Sequence, residues 1–223
     1  MNTNQKTGRV AGLLLLLIFI NGIFIFQFLQ GPILFSDNFL ATTAANSNQI
    51  VVSVILGIFS GIVSIVIATI LLPVFKRQDS ILANLYLAFC IINFFTIMID
   101  NVSVIAMLEL SKEYINNENN SSLKILGSLA YEKHWWTHYL YLLISCFPVF
   151  VLYYTLFRSK LVPRLISIFG LIAVFLMFIE ELFSIFGRSI SMNMLLPIAL
   201  IQLVLPLWLI YKGFNTVKVE MID

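Results

Sequence analysis

The run Leu13-Leu14-Leu15-Leu16-Leu17-Ile18-Phe19-Ile20 is apolar on every side, whatever period is imposed on it. A surface helix of a soluble protein needs a polar face. A membrane barrel strand alternates polar with apolar side chains over about 10 residues. Neither describes this run. A helix in lipid does, because it bonds its own backbone groups and can present hydrocarbon all round. A bilayer core of about 30 Å is crossed by about 20 mostly apolar residues. Stretches of that kind occupy residues 10–29, 50–75, 81–110, 135–157, 165–187 and 194–211. Composition agrees: 60% of the chain is hydrophobic and 11% charged, against about 45–50% and 25% in soluble domains. The expected fold is all-α, a polytopic transmembrane helix bundle of six spans, forming a single integral membrane domain over residues 1–223 of a multi-pass cell (inner or plasma) membrane protein.

The first run could be a secretory signal, since Lys6 and Arg9 precede it. Signal h-regions measure about 7–15 residues and end in small residues. Here Phe24, Phe26, Gln27 and Phe28 follow, so the run reads as a retained span.

Cytoplasmic loops carry an excess of Lys and Arg. With the N-terminus inside, the inner side holds Lys6, Arg9, Lys76, Arg77, Arg158, Lys160, Arg164, Lys212 and Lys218, nine in all. The outer side holds four: Lys112, Lys124, Lys133 and Arg188. Both termini are therefore expected in the cytoplasm. Trp135 and Trp136 then mark the outer interface, and Trp208 and Tyr211 the inner one. Between spans, Ser111–His134 reads as a solvated, Asn-rich loop with one short helix around Leu123–Tyr131. The segment from Gln30 to Gln49 reads as an interfacial loop.

Several functions are excluded. A net charge of +2 leaves no nucleic-acid footprint, and the partner implied is the lipid bilayer. Two cysteines cannot build a disulfide framework or a four-cysteine zinc site. Two histidines, both at one end of the fourth span, cannot clamp a haem between helices. There is no P-loop or GxGxxG, and no cofactor is expected. Gly57-Ile58-Phe59-Ser60-Gly61 is not the GxSG of intramembrane serine proteases, and Met98-Ile99-Asp100 lacks the GxGD of the aspartyl class.

Small residues four apart let helix backbones meet in lipid, and the second span carries Ser53, Gly57 and Gly61 at that spacing. The Gly57/Gly61 face could form a homo-oligomer; packing within one chain is the commoner use. Pro73, Pro148, Pro197 and Pro206 are expected to kink or end spans, because each removes an amide donor.

Polar groups at membrane depth are the functional signal, because they are costly there. Asn93, Thr96, Asp100 and Ser103 share one face of the third span. His134, His138, Tyr141 and Ser145 share one face of the fourth. Glu180, Ser184 and Arg188 step by four along the fifth, with Glu181 about 100° away. A rise of about 1.5 Å per residue gathers the titratable groups in the outer third. Asn93, Asp100, His138, Glu180, Glu181 and Arg188 could then line one outward-facing polar cluster. Three uses compete: glue for the bundle; binding or transport of a small solute, proton or lipid; and a membrane-embedded metal-dependent hydrolase using His134 and His138. The metal case is the weakest in the sequence, since His134 falls in the expected loop and no HExxH is present. Whether the chain is an enzyme is left open, with the balance toward binding or transport over catalysis, and a structural or accessory subunit as a further option.

Three segments carry a resemblance: Gly8-Arg9-Val10-Ala11-Gly12-Leu13-Leu14, Thr43-Ala44-Ala45-Asn46, and Tyr154-Thr155-Leu156-Phe157-Arg158-Ser159 continuing as Leu161-Val162-Pro163-Arg164-Leu165. In order and spacing the chain resembles the bacterial multi-pass membrane family called domain of unknown function 4386, over nearly its whole length. The resemblance implies about this number of spans, a bacterial inner membrane, and an acidic residue at Glu180 rather than Glu181. It departs from the family pattern at Leu15, where a tyrosine is frequent, and about Pro148, where a histidine is. It implies no activity.

Overall fold

The computed structural model describes residues 3–117, 120–188 and 192–215. Glu118 and Asn119 of the Asn-rich segment, and Lys218 among the inner cations, lie outside the described residues. Every regular element among the described residues is helical. Helix α1 is Thr3–Phe24 and continues through a π-helical stretch, Ile25–Gln30, into α2, Gly31–Leu34. Then come α3 (Phe39–Ala45), α4 (Ser47–Lys76), α5 (Ser80–Asn116), α6 (Ser121–Ser159), α7 (Arg164–Ile185) and α8 (Leu196–Lys212), the last preceded by a 3-10 turn, Met192–Leu195. Six segments are long and apolar enough to span a bilayer: Thr3–Leu34, Ser47–Lys76, Ser80–Asn116, Ser121–Ser159, Arg164–Ile185 and Asn193–Lys212. Leu13, Phe28, Ile55, Phe95, Phe175 and Leu200 face outward and exposed, which suits lipid and would not suit water. The chain is a multi-pass membrane protein.

The long helices are arranged as a ring in chain order. Helix α1 packs on α4, α4 on α5, α5 on α6, α6 on α7 and α7 on α8, and α8 closes on α1. Closure depends on two glycines one turn apart. A Cβ on Gly8 would lie 2.6 Å from the Phe214 amide nitrogen, and one on Gly12 2.8 Å from Leu209 Cβ and 2.9 Å from the Pro206 carbonyl. Gly57 and Gly61 serve the same purpose one seam on. A Cβ there would meet Asn101 at 3.1 Å and Phe94 at 2.6 Å, both on α5. That small-residue face is filled by a neighbouring helix of the same chain. Asn21 ties α1 to α4 by donating to the Leu56 carbonyl at 2.9 Å, a polar link of the kind that holds helices together in lipid.

The segment Gln30–Gln49 packs part of its length against the bundle. Pro32 has no amide to give the preceding turn, and the backbone widens into the π-helical stretch just before it. The Phe28 and Leu29 carbonyls beside it accept from the Gln49 side chain at 2.8 and 3.2 Å. Gln30 donates to Ser53 at 2.9 Å. Ile33, Leu34 and Leu40 are consequently buried, and Ile33 and Leu34 join Ile50, Val54, Val104, Met107 and Leu108 in a small core of their own. Leu40 sits against Gly127 of α6, and Phe39 against Tyr131 with ring centroids 5.1 Å apart.

Within Ser111–His134 the helix expected around Leu123–Tyr131 is present, but it is longer than expected and most of the loop around it is helical too. Helix α5 runs on to Asn116, and α6 starts at Ser121, fourteen residues before the predicted span start at 135. Asn120 caps α6 by accepting from the Ser122 amide at 2.8 Å. The polar residues here cover a helical hairpin instead of a loop. Pro148 and Pro206 lie within continuous helices, Pro73 lies near the end of α4, and Pro197 opens α8.

At the opposite end of the ring, Asp79 caps α5 by accepting from the Ile81 and Leu82 amides at 2.9 and 3.1 Å. Its second oxygen takes Arg158 of α6 at 2.9 Å. Arg158, expected to set orientation, also pins two helix ends together.

Candidate functional site

The ring order places α6 between α5 and α7, so each expected polar face of the third, fourth and fifth spans meets a neighbour. Extending α6 back to Ser121 makes His134 helical. His134, His138 and Tyr141 then lie at successive turns of one face. Opposite them stands Asp100 of α5. His134 Nδ1 is 3.1 Å from Asp100 Oδ1, and His138 Nδ1 is 3.4 Å from Asp100 Oδ2. One carboxylate therefore faces two imidazoles, one oxygen to each. Thr137, between the two histidines in sequence, donates its hydroxyl to Asp100 Oδ1 at 2.9 Å and lies 3.2 Å from Ser103 Oγ. The His134 and Asp100 side chains are 12% and 13% exposed and that of His138 29%, so the cluster opens on the His138 side.

The contact at His134 is close but not a hydrogen bond. Its Nδ1 is buried and has no acceptable hydrogen-bond partner among the described residues, even though Asp100 Oδ1 is 3.1 Å away. The distance is suitable; the alignment that an N–H···O bond needs is missing.

A second group sits on α7. Glu180 and Glu181 are both buried, with 6% and 1% of their surface exposed. Ser184 donates to Glu180 Oε1 at 3.0 Å. The other oxygen of each carboxyl, Oε2, is buried without a hydrogen-bond partner among the described residues. Helix α7 stops at Ile185, and Gly187 has a φ of +69°, a left-handed conformation that glycine adopts without strain. Arg188 is thereby carried off the helix face on which its spacing had placed it. It is exposed and makes no ion pair among the described residues. It edges a shallow cleft with Leu182, Phe183 and Phe186.

Asn93 is buried on α5 with its Oδ1 unpartnered among the described residues. It lies nearly two turns before Asp100, so it shares that face without joining the Asp100–histidine contact. Of the expected cluster, Asp100 stands with His134 and His138 between α5 and α6, and Glu180 with Glu181 on α7; Tyr141, on the histidine face of α6, lies within electrostatic reach of both Asp100 and Glu181. One contributor escaped sequence reasoning: Thr137 sits between the histidines and reads there as one more helix residue. Asn101, which follows Asp100, is buried beside Gly57 of α4 with its Nδ2 unpartnered among the described residues. Cys90 and Cys146 are buried free thiols, the second within electrostatic reach of Glu181.

No curated protein and no solved structure matches the chain. A family model described as Domain of unknown function (DUF4386) matches residues 10–213, the whole stretch from the first span to the turn after α8. With that match over a ring of six apolar helices, the chain belongs to the family of that description, a family of membrane helix bundles.

Proposed function

We propose that the protein binds a small cation, the proton included, inside the membrane and passes it through the bundle, with Glu180 and Glu181 as the binding groups. One observation carries this reading. Both carboxyls are buried on a membrane-spanning helix, and among the described residues neither has a basic partner. A charge held in low dielectric needs a compensating charge or a proton. The pairs of the ring's ends, Lys112 with Glu109 and Arg158 with Asp79, leave these two acids unserved. Carboxyls kept only as glue would be saturated by protein donors, whereas Oε2 of each is not.

The test is labelling by dicyclohexylcarbodiimide, which reacts with carboxyl groups in apolar surroundings, on purified protein in liposomes. The expected product is modified at Glu180 or Glu181, and the label disappears in the E180Q/E181Q double variant. Proton or sodium movement into the vesicles should fall with it. An unlabelled wild-type protein, or cation movement equal in wild type and double variant, would overturn the reading.

A further inference from the structure

We propose that Asp100, His134 and His138 form a binding site for one divalent transition-metal ion of the zinc class. The site lies between α5 and α6, uses neither Glu180 nor Glu181, and so goes beyond the preceding reading.

The geometry is that of a ligand set. His134 and His138 are one turn apart on α6, and Asp100 comes from the antiparallel neighbour α5. One ligand atom from each lies within 4.8 Å of the others. Zinc bonds nitrogen and carboxylate oxygen at about 2.0–2.2 Å in tetrahedral geometry, which sets neighbouring ligand atoms about 3.3–3.6 Å apart. The two nitrogen–oxygen separations, 3.1 Å to Oδ1 and 3.4 Å to Oδ2, are each about that size and run to the two different oxygens of the one carboxylate. The His134 Nδ1 is buried with no hydrogen-bond partner among the described residues, although Asp100 Oδ1 is 3.1 Å away. A nitrogen lone pair directed at a metal between the three groups satisfies that atom.

The donor set selects the ion. Two imidazoles with one carboxylate suit zinc and its first-row neighbours, whereas magnesium and calcium take oxygen ligands. The surroundings fix the ligands as metal sites require. Thr137 holds Asp100 Oδ1 at 2.9 Å. The histidine rings lie 5.7 Å apart, and Tyr141 packs edge-on to His138 at 6.0 Å. Three protein ligands leave a fourth position free for water or another small ligand, and the exposed side of His138 gives it an entrance.

The experiment uses the full chain purified in detergent, stripped with a chelator and titrated with zinc by calorimetry and with cobalt by visible absorption. The expected wild-type result is about one equivalent of zinc, with the intense visible bands of tetrahedral cobalt. D100N, H134N and H138N should each weaken zinc by at least about tenfold, while E180Q/E181Q binds as wild type does. Wild-type cobalt spectra decide the matter even if a histidine variant fails to fold. A wild-type protein taking up less than about a tenth of an equivalent, an octahedral cobalt spectrum, or histidine variants binding zinc as tightly as wild type would each overturn the proposal. Because E180Q/E181Q removes the α7 pair alone, loss of zinc binding and loss of cation movement are read separately.

Discussion

A single missing methyl group decides whether the ring closes. At Gly12 an added Cβ would strike the Pro206 carbonyl and Leu209 Cβ, at 2.9 and 2.8 Å, and neither can rotate away. At Gly22 an added Cβ meets nothing within 4 Å. Gly12→Ala is therefore expected to destabilise by about 1–3 kcal/mol, the usual range for overpacking, while Gly22→Ala stays within about 0.5 kcal/mol. Thermal unfolding in detergent measures both; equal melting temperatures for the two variants would remove the close approach of α1 and α8 from the account. The same scale separates what was legible in the sequence from what was not. Asp100, Glu180 and His138 stand out because an ionisable residue in an apolar run is costly whatever surrounds it. Gly8 and Gly12 show their spacing, but not that α8 is the partner. Thr137 is silent because a hydroxyl in a helix commonly bonds its own backbone, and only the approach of α5 gives it the Asp100 carboxylate.

Helix ends were the least legible elements, and the cause is chemical. Hydropathy detects where a helix is in oil. It does not detect where a helix continues into water, so Ser111–His134 reads as a loop with one short helix although most of it is helical. Local signals for α6 existed: Asn120 is a good capping residue, and Lys124, Leu126, Leu129 and Ala130 favour helix. The difference matters, because the register that brings His134 to Asp100 runs through this extension. Proline tests it. Ser121 is the first residue of α6, where a proline needs no amide partner and is tolerated. Ser128 is interior and exposed, so Ser128→Pro loses a helical hydrogen bond without disturbing a buried side chain and should cost about 3 kcal/mol. Ser121→Pro is expected to match wild type in amide hydrogen exchange over residues 123–134, and Ser128→Pro to exchange much faster there. Fast exchange across that stretch in the unmodified protein would return it to a loop.

At the scale of the whole molecule, an even number of spans in chain order puts both termini at one end of the ring and the α5–α6 hairpin tip at the other. Charge gives the expectation for which end faces the cytoplasm. The terminal end carries Lys6, Arg9, Lys76, Arg77, Arg158, Lys160, Arg164 and Lys212 among the described residues, and the tip end Lys112, Lys124, Lys133 and Arg188. Three of these cations have a second duty, Arg158 with Asp79 at 2.9 Å, Arg9 donating to the Tyr211 carbonyl at 3.1 Å and Lys112 with Glu109 at 2.8 Å. Discounting all three leaves six against three, still in favour of a cytoplasmic terminal end. The two native cysteines, Cys90 and Cys146, are buried free thiols, so a single introduced cysteine can be read above a low background. Ser122 at the tip and Arg77 at the terminal end are both exposed. In intact cells a membrane-impermeant maleimide is expected to label Ser122→Cys at once and Arg77→Cys only after the membrane is opened. That result would also place the exposed side of His138 and its two partner ligands toward the outer face, where a metal ion would arrive from outside the cell. The reverse labelling pattern would invert the molecule, and any ion reaching Asp100 would then be drawn from the cytoplasm.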